Sequence, residues 1–271
     1  MARVSWWWRK QRALWSLSVQ EALQYRLEGL IWFGFDLLPA LTMVFLWLAV
    51  YQQRADVAGF DLGEMMAYYS GLIALRAIVI THPEWELARF VQEGTLAQWL
   101  TRPVSVWSYF LASGSAWRLL RGVFAVPAVV GIAALAGGEV ALPVDAERIA
   151  LLILALVQAF FLCFCIKMLL GMTAFWSTDS SGIFGLYEVV VGLLAGSILP
   201  LPILPAPVRA VAEALPFAYV YYFPLSILTE EASVAALTKG LLVQSAWLAV
   251  SLVAALFLWR VGLRRYEAMG G

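Results

Sequence analysis

The chain alternates long apolar segments with short polar ones, and the apolar segments reach the length needed to cross a bilayer. A hydrocarbon core of about 30 Å takes about 20 helical residues at about 1.5 Å each. Six segments qualify: 30–51, 62–80, 119–136, 149–176, 183–199 and 241–259. A backbone in lipid must satisfy its own hydrogen bonds, so spans of this length are helices. The expected fold is all-α: a polytopic membrane protein with six transmembrane helices in one domain over residues 1–271. Composition points the same way, with 63% hydrophobic residues and only 13% charged ones. That is too few charges to cover a soluble surface around a core, so the excess apolar side chains face lipid. A soluble enzyme, a disordered chain and a disulfide scaffold are excluded. Lys and Arg total 18, as do Asp and Glu, and no basic run stands out beyond the N-terminal segment, so nucleic acid is not an expected partner. Membrane lipid is. Thirteen Trp and ten Tyr suit a protein with two membrane–water interfaces. Cys163 and Cys165, two apart on a helix, point to nearly opposite faces and cannot pair with each other.

Charge asymmetry sets the orientation. Arg3, Arg9, Lys10, Arg12 and Arg26 precede the first span, Arg89 and Arg102 lie between the second and third, and Arg260, Arg264 and Arg265 follow the sixth. Arg118 and Arg121 stand at the inner end of the third span. The opposite loops carry Arg54, Arg148, Arg209 and Lys239 beside many acids, among them Asp56, Asp61, Glu64, Glu139, Glu230 and Glu231. The positive-inside rule places both termini in the cytoplasm. The N-terminus does not read as a cleavable signal, because Trp6, Trp7 and Trp8 come first, then Arg9, Lys10 and Arg12, with no short apolar stretch and cleavage site after them.

The connecting segments have their own character. Residues 4–28 read as an interfacial helix, with Trp15, Val19, Ala22 or Leu23, Leu27 and Leu30 on one apolar face. Residues 104–118 read as an approach helix on the inner surface. Thr81-His82-Pro83-Glu84 has the form of a capping box, Trp85, Ala88 and Val91 or Gln92 follow on a helical period, and Gly94 can stop the helix. A second start at Thr95–Gln98 gives two short amphipathic helices ending at Arg102-Pro103. Their role stays open between a tether and a docking element for a cytoplasmic partner. On the other side, Pro200, Pro202, Pro205 and Pro207 punctuate the exit from span five, and 208–215 suits a short amphipathic helix. Residues 216–228, with Pro216, Phe217, Tyr219, Phe223 and Pro224, are aromatic but only 13 long, too short to span. They form either an outer aromatic belt or a cap over an exit route.

Asp36, Arg76, Lys167 and Glu188 are costly inside a membrane. All four fall in the inner half, roughly 6–14 Å from the cytoplasmic ends. Two acids and two bases at similar depth suggest interhelical ion pairs, but span order does not say which acid meets which base. A direct substrate or proton role is the other reading. No G-x-x-x-x-G-K-[ST], G-x-S-x-G or H-E-x-x-H occurs, and His82 is the single histidine. No catalytic residue, metal site or bound cofactor is expected in this chain.

Gln92-Glu93-Gly94-Thr95-Leu96 with Trp99-Leu100-Thr101-Arg102-Pro103-Val104 resembles the E-G-x-L-x-x-x-L-x-R-P element of the ABC-2 type permeases. The match is to a bacterial branch of about this length linked to drug or viologen export. Leu215-Pro216-Phe217-Ala218-Tyr219 with Phe223-Pro224 is similar to its late P-F-x-Y…F-P element, and Phe175-Trp176 to the close of its fourth span. The resemblance covers essentially the whole chain. It implies six spans, an N-terminal interfacial helix, a cytoplasmic coupling helix and outer re-entrant helices. Carried onto this sequence, the coupling region is 84–102, and Glu84, Trp85, Arg89, Glu93, Gly94, Leu96, Trp99, Arg102 and Pro103 are its candidate residues. The re-entrant region is 200–228. The resemblance further implies a separate ABC ATPase dimer that carries ATP and Mg, and a second permease, the same chain or a paralogous one. Substrate would move outward between the permeases across the bacterial inner membrane. Few polar residues in most spans favour a hydrophobic or amphiphilic substrate. Two rivals stand beside this reading: an ion- or proton-coupled secondary transporter using Asp36 and Glu188, and a non-transporting membrane scaffold.

Overall fold

The computed structural model describes residues 2–135, 145–229 and 232–266, with side chains from Arg9 onward. The expected end of span three at Ala136 and the outer acids Glu139, Glu230 and Glu231 lie outside the described residues. In chain order the helices are α1 (Ala2–Gln24), α2 (Arg26–Tyr51), α3 (Leu62–Val79), α4 (Pro83–Gln92), α5 (Leu96–Thr101) and α6 (Val106–Ala112). Then come α7 (Ser115–Leu135), α8 (Ala146–Met172), α9 (Ser181–Leu194), α10 (Ala206–Ala214), α11 (Tyr222–Thr229) and α12 (Val234–Arg265). Single 3-10 turns lie at Thr173–Phe175 and Leu201–Ile203. An isolated bridge between Val57 and Phe60 is the one non-helical pairing among the described residues.

Five helical stretches are long and apolar enough to cross a membrane: α2, α3 through α4, α6 through α7, α8 with its 3-10 turn, and α12. The chain is thus a multi-pass helical membrane protein. α9 differs from the sequence expectation. It has 14 residues, about 21 Å of helix, short of the 183–199 span read from hydropathy. It still runs between the two ends of the bundle. Near its start Phe184 packs edge-on to Trp85 of α4, with ring centroids 4.8 Å apart. Just beyond its end the Gly196 carbonyl accepts a hydrogen bond from Tyr68 in the first turns of α3.

Local chemistry explains two further departures. The capping box stands at Asp61 and Glu64, which exchange side-chain and backbone bonds of 2.7 and 2.9 Å at the start of α3. The expected box at Thr81–Glu84 is absent: His82 occupies the N-cap without a side-chain cap bond, and Glu84 has another use. The approach helix ends early, because Gly114 takes a left-handed φ of 69° and separates α6 from α7. α1 packs on α7 through Ser18 and Ala22, which are buried, with Ser18 Oγ accepting from the Ala116 amide, while Trp15 and Leu23 of its apolar face are exposed.

The core is densest where α3 is wrapped by its neighbours, with Met65, Met66, Tyr68, Tyr69 and Leu72 buried. At the end opposite α4, two tyrosine hydroxyls fix the chain after α9. Tyr68 donates to the Gly196 carbonyl at 2.6 Å and Tyr69 to that of Ile198 at 2.7 Å. The Tyr69 hydroxyl also accepts from Trp47 Nε1 of α2 at 3.0 Å. α11 lies inside the bundle at this end, with Phe223, Pro224, Leu225, Ser226 and Ile227 buried. Elsewhere large apolar residues face outward, including Phe35 and Phe45 of α2, Val123 and Val130 of α7, and Val253 and Phe257 of α12. That is the surface a bilayer covers.

Removing one hydroxyl costs more where it leaves two partners unmade. Tyr69→Phe orphans both the Ile198 carbonyl and the Trp47 indole, so it is expected to lose about 1–3 kcal/mol. Thermal unfolding in detergent reads the loss, and an unchanged unfolding temperature would refute it.

Candidate functional site at the charged end of the bundle

Lys167 sits in the middle of the C-terminal half of α8, where an ammonium has no water to solvate it. Its side chain is 2% exposed. An isolated charge there costs several kcal/mol, so the fold must bring it carboxylates. Two arrive, from different helices. Lys167 Nζ donates to Glu84 Oε1 of α4 at 2.9 Å and to Glu188 Oε1 of α9 at 2.6 Å. Glu84 is 1% exposed and Glu188 55%. His82 Nδ1 lies 3.2 Å from the same Glu84 oxygen, and the Tyr187 ring centroid lies 4.6 Å from the ammonium. One ammonium therefore joins α4, α8 and α9.

Backbone geometry reinforces the joint. A Cβ on Gly171, one turn beyond Lys167, would stand 3.0 Å from Glu84 Cα and 3.1 Å from its carbonyl oxygen. α4 thus lies against α8 at a point that leaves no room for a side chain. Below it Leu87, Ala88 and Val91 of α4 are buried with Phe164, Met168 and Met172 of α8. The opposite stripe of α4, Trp85, Arg89 and the following Glu93, is exposed. It borders a groove of about 640 Å³ whose other wall is the α8–α9 connection at Asp179–Ser181. The Ser181 amide donates to Asp179 at 2.8 Å and holds that carboxyl below its usual range.

The turn after α4 is fixed from the far end of the chain. Gly94 takes a left-handed φ of 74°, its carbonyl accepts from the Tyr266 hydroxyl at 2.7 Å, and that hydroxyl accepts from the Ala97 amide at 3.1 Å. Leu96 is fully buried. Trp99 stacks on Phe90 at 5.4 Å and lies 4.1 Å from the Tyr109 ring, with the Arg102 guanidinium 4.2 Å above it. Lys10 of α1 donates to the Pro103 carbonyl. The candidate coupling residues thus divide. Glu84 and Leu96 point inward, Gly94 and Trp99 shape the turn, and Trp85, Arg89, Glu93, Arg102 and Pro103 are exposed.

A second charge cluster lies on the α2–α3–α7 side. Asp36 Oδ1 is 3.6 Å from Arg76 and Oδ2 is 3.8 Å from Arg121. The four intramembrane charges read from hydropathy are therefore brought together as Asp36 with Arg76 and Lys167 with Glu188. Sequence reasoning missed one member of each group. Arg121 had been read only as an inner-end positive charge, and Glu84 as a cap or coupling residue. A signal for Glu84 was available: it shares the helical period of Leu87, Ala88 and Val91, and a carboxylate on an apolar stripe needs a partner.

His82, Glu84 and Glu188 offer ligand atoms within 4.8 Å of one another. The Lys167 ammonium already lies on both carboxylates, in the place a cation would take, so these residues fit an ion pair rather than a metal centre. At the opposite end, Phe217 packs edge-on to Tyr187 at 5.8 Å, the Tyr219 carbonyl accepts from Gln244, and Phe223 and Pro224 are buried in α11. Pro216 precedes them, its carbonyl accepting from the Tyr219 amide. Cys163 and Cys165 are free and buried.

Long apolar helices joined by interhelical ion pairs define a multi-pass helical membrane protein. Residues 37–270 match the family model described as ABC-2 family transporter protein, and the chain belongs to that family. Members supply the membrane component of transport, are not themselves catalytic, and generally work with ABC ATPase partners. Comparison with curated proteins gave no match.

Lys167→Met leaves Glu84 buried and charged without its partner. The expected loss is about 3–5 kcal/mol, read as a lower unfolding temperature in detergent. Adding Glu84→Gln should recover much of it, and Glu188→Gln alone should cost little, since that side chain is more than half exposed. Failure of the double variant to recover stability would refute the pair.

Proposed function

We propose that this chain is the permease subunit of an ATP-driven ABC exporter in the bacterial inner membrane, with both termini cytoplasmic. The observation that carries the reading is the two-faced α4. One face is fastened to the spans by Glu84, Lys167 and Gly171, and the other presents Trp85 and Arg89 on an open groove, with Glu93 exposed just past the helix end. A helix so held transmits a push from a docked partner into α8 and α9 without bending first. In this reading residues 84–102 are the coupling region, and the partner is an ABC ATPase dimer that holds ATP and Mg. α9 and the residues after it make the sixth crossing, α1 lies along the inner leaflet, and 200–228 form the re-entrant cap. Two permeases, copies of this chain or this chain with a paralogue, enclose the path. The substrate is hydrophobic or amphiphilic, because the spans offer it few polar groups. ATP-driven closure of the ATPases moves α4, and the permeases rock apart to open the path outward.

The test is affinity purification of the full chain from native membranes in mild detergent, with mass spectrometry of what accompanies it. A P-loop ATPase should be recovered, and Trp85→Ala with Arg89→Glu should lower its yield about tenfold, the loss of one to two good contacts. Reconstituted alone, the chain should support no ATP-driven flux. Recovery of no ATPase from intact complexes would overturn the reading and favour an ion-coupled transporter. Recovery of an ATPase whose turnover the chain leaves unchanged would favour a scaffold.

A further inference from the structure

A cavity of about 410 Å³ opens at the charged end, between the α1–α2 junction, the start of α4 and the α6–α7 break. Its volume falls in the range of ligand sites. Its charges are sorted by depth. Arg121 reaches the level of Asp36, at 3.8 Å. On α2, Asp36 lies eight residues beyond Glu28, about 12 Å deeper along the helix axis. Arg118 stands one turn shallower than Arg121 on α7. The shallow part holds Glu21 of α1, Glu28 of α2 and Glu86 of α4.

These groups are incompletely used. Among the described residues no carboxylate pairs with Arg118, whose guanidinium lies 4.7 Å from the Phe160 ring centroid and whose Nη2 donates to the Leu111 carbonyl at 3.2 Å. Arg121 Nε is buried without a hydrogen-bond partner among the described residues. Glu21, Glu28 and Glu86 form no ion pair among the described residues, and Glu86 accepts only from the Tyr109 hydroxyl at 2.7 Å. Three carboxylates around one cavity repel each other unless a cation joins them. His82 is on the wall as well, with Nδ1 committed to Glu84.

We propose that this cavity seats the headgroup of a zwitterionic aminophospholipid, with its phosphate on Arg118 and Arg121 and its ammonium among Glu21, Glu28 and Glu86. A phospholipid in a leaflet presents its groups in that order from the membrane outward: acyl chains, phosphate, ammonium. Guanidinium suits the phosphate through paired donors. The aromatic walls Tyr25 and Trp32 suit the ammonium. The wall is also open sideways. Trp32 is 59% exposed, and Phe35 and Leu38 of α2 and Leu119 and Val123 of α7 continue from it as exposed apolar surface. Acyl chains have that surface to lie on, which a water-soluble phosphoethanolamine would not require. An anionic phospholipid would meet three carboxylates with no ammonium to offer. The proposal needs only that this end of the bundle lies at a membrane face, so it stands apart from the transport reading.

The test is native mass spectrometry of the full chain in detergent, titrated with phosphatidylethanolamine or with phosphatidylglycerol of the same acyl chains. Phosphatidylethanolamine should be retained about tenfold over phosphatidylglycerol, the size of one charge-assisted contact. Glu21→Gln with Glu28→Gln, both on exposed residues, should bring that ratio towards one while the unfolding temperature holds. Arg118→Gln should lower retention of both lipids. Equal retention by the native chain, or a ratio unmoved by the double glutamine variant, would overturn the proposal. Displacement of the lipid by soluble glycerophosphoethanolamine at equal concentration would also overturn it, in favour of a soluble ligand. No readout involves an ATPase, so failure here leaves the transport reading to its own test.

Discussion

An ammonium buried in an apolar bundle must be compensated, and much of the charged end follows from that one requirement. Lys167 draws Glu84 and Glu188 to it. To deliver those carboxylates, α4 must lie flat against the end of α8, and α9 must pass close by. Gly171 permits the approach, since any Cβ there would meet the α4 backbone. Without the ammonium, an amphipathic helix such as α4 could slide on the membrane face. With it, α4 has one register, and its exposed stripe points one way. The cost of burying the charges is large and its return in stability modest. Specificity of placement is the property such a joint gives most clearly.

The opposite end is held by neutral chemistry. Two tyrosines of α3 reach carbonyls of the irregular chain after α9, where no helix supplies partners. Gln244 of α12 does the same for the Tyr219 carbonyl and also donates to the Ala155 carbonyl inside α8. These bonds allow a short helix and a broken segment, α11 and the turn before it, to be buried among long ones. Between the two ends the helices pack through apolar contacts, and their outer faces remain apolar. The polar groups are thus concentrated where the backbone is irregular or where helices must keep a fixed relation. The second cluster, Asp36 with Arg76 and Arg121, ties α2, α3 and α7 on the other side and leaves Arg121 on the wall of the cavity at the α1–α2 junction.

Much of the architecture was legible because lipid imposes a length on every crossing. α2, α3, α7, α8 and α12 each fall on an apolar segment of the sequence, with boundaries a few residues longer or shorter. α9 was overestimated, because hydropathy counts Ala195–Leu199 as span although the chain there leaves the helix. The capping box was placed on the wrong S/T-x-x-E/D-like stretch: Asp61 and Glu64 satisfy it, while Glu84 is withdrawn to a lysine 83 residues away. On α1 the larger apolar residues Trp15 and Leu23 stay exposed, and small Ser18 and Ala22 let α1 approach α7 closely.

Sequence alone determined that the chain is helical, crosses a membrane several times and carries charges within its apolar segments, because solvent-transfer costs act on each segment separately. Resemblance in the 92–104 and 215–224 segments supplied the family. Only the tertiary structure decided which acid meets which base, that Glu84 and Arg121 belong to those clusters, and which face of α4 stays exposed. Those outcomes rest on contacts between helices far apart in the chain. Periodicity along one helix gives the faces of that helix but not the partner each face will meet.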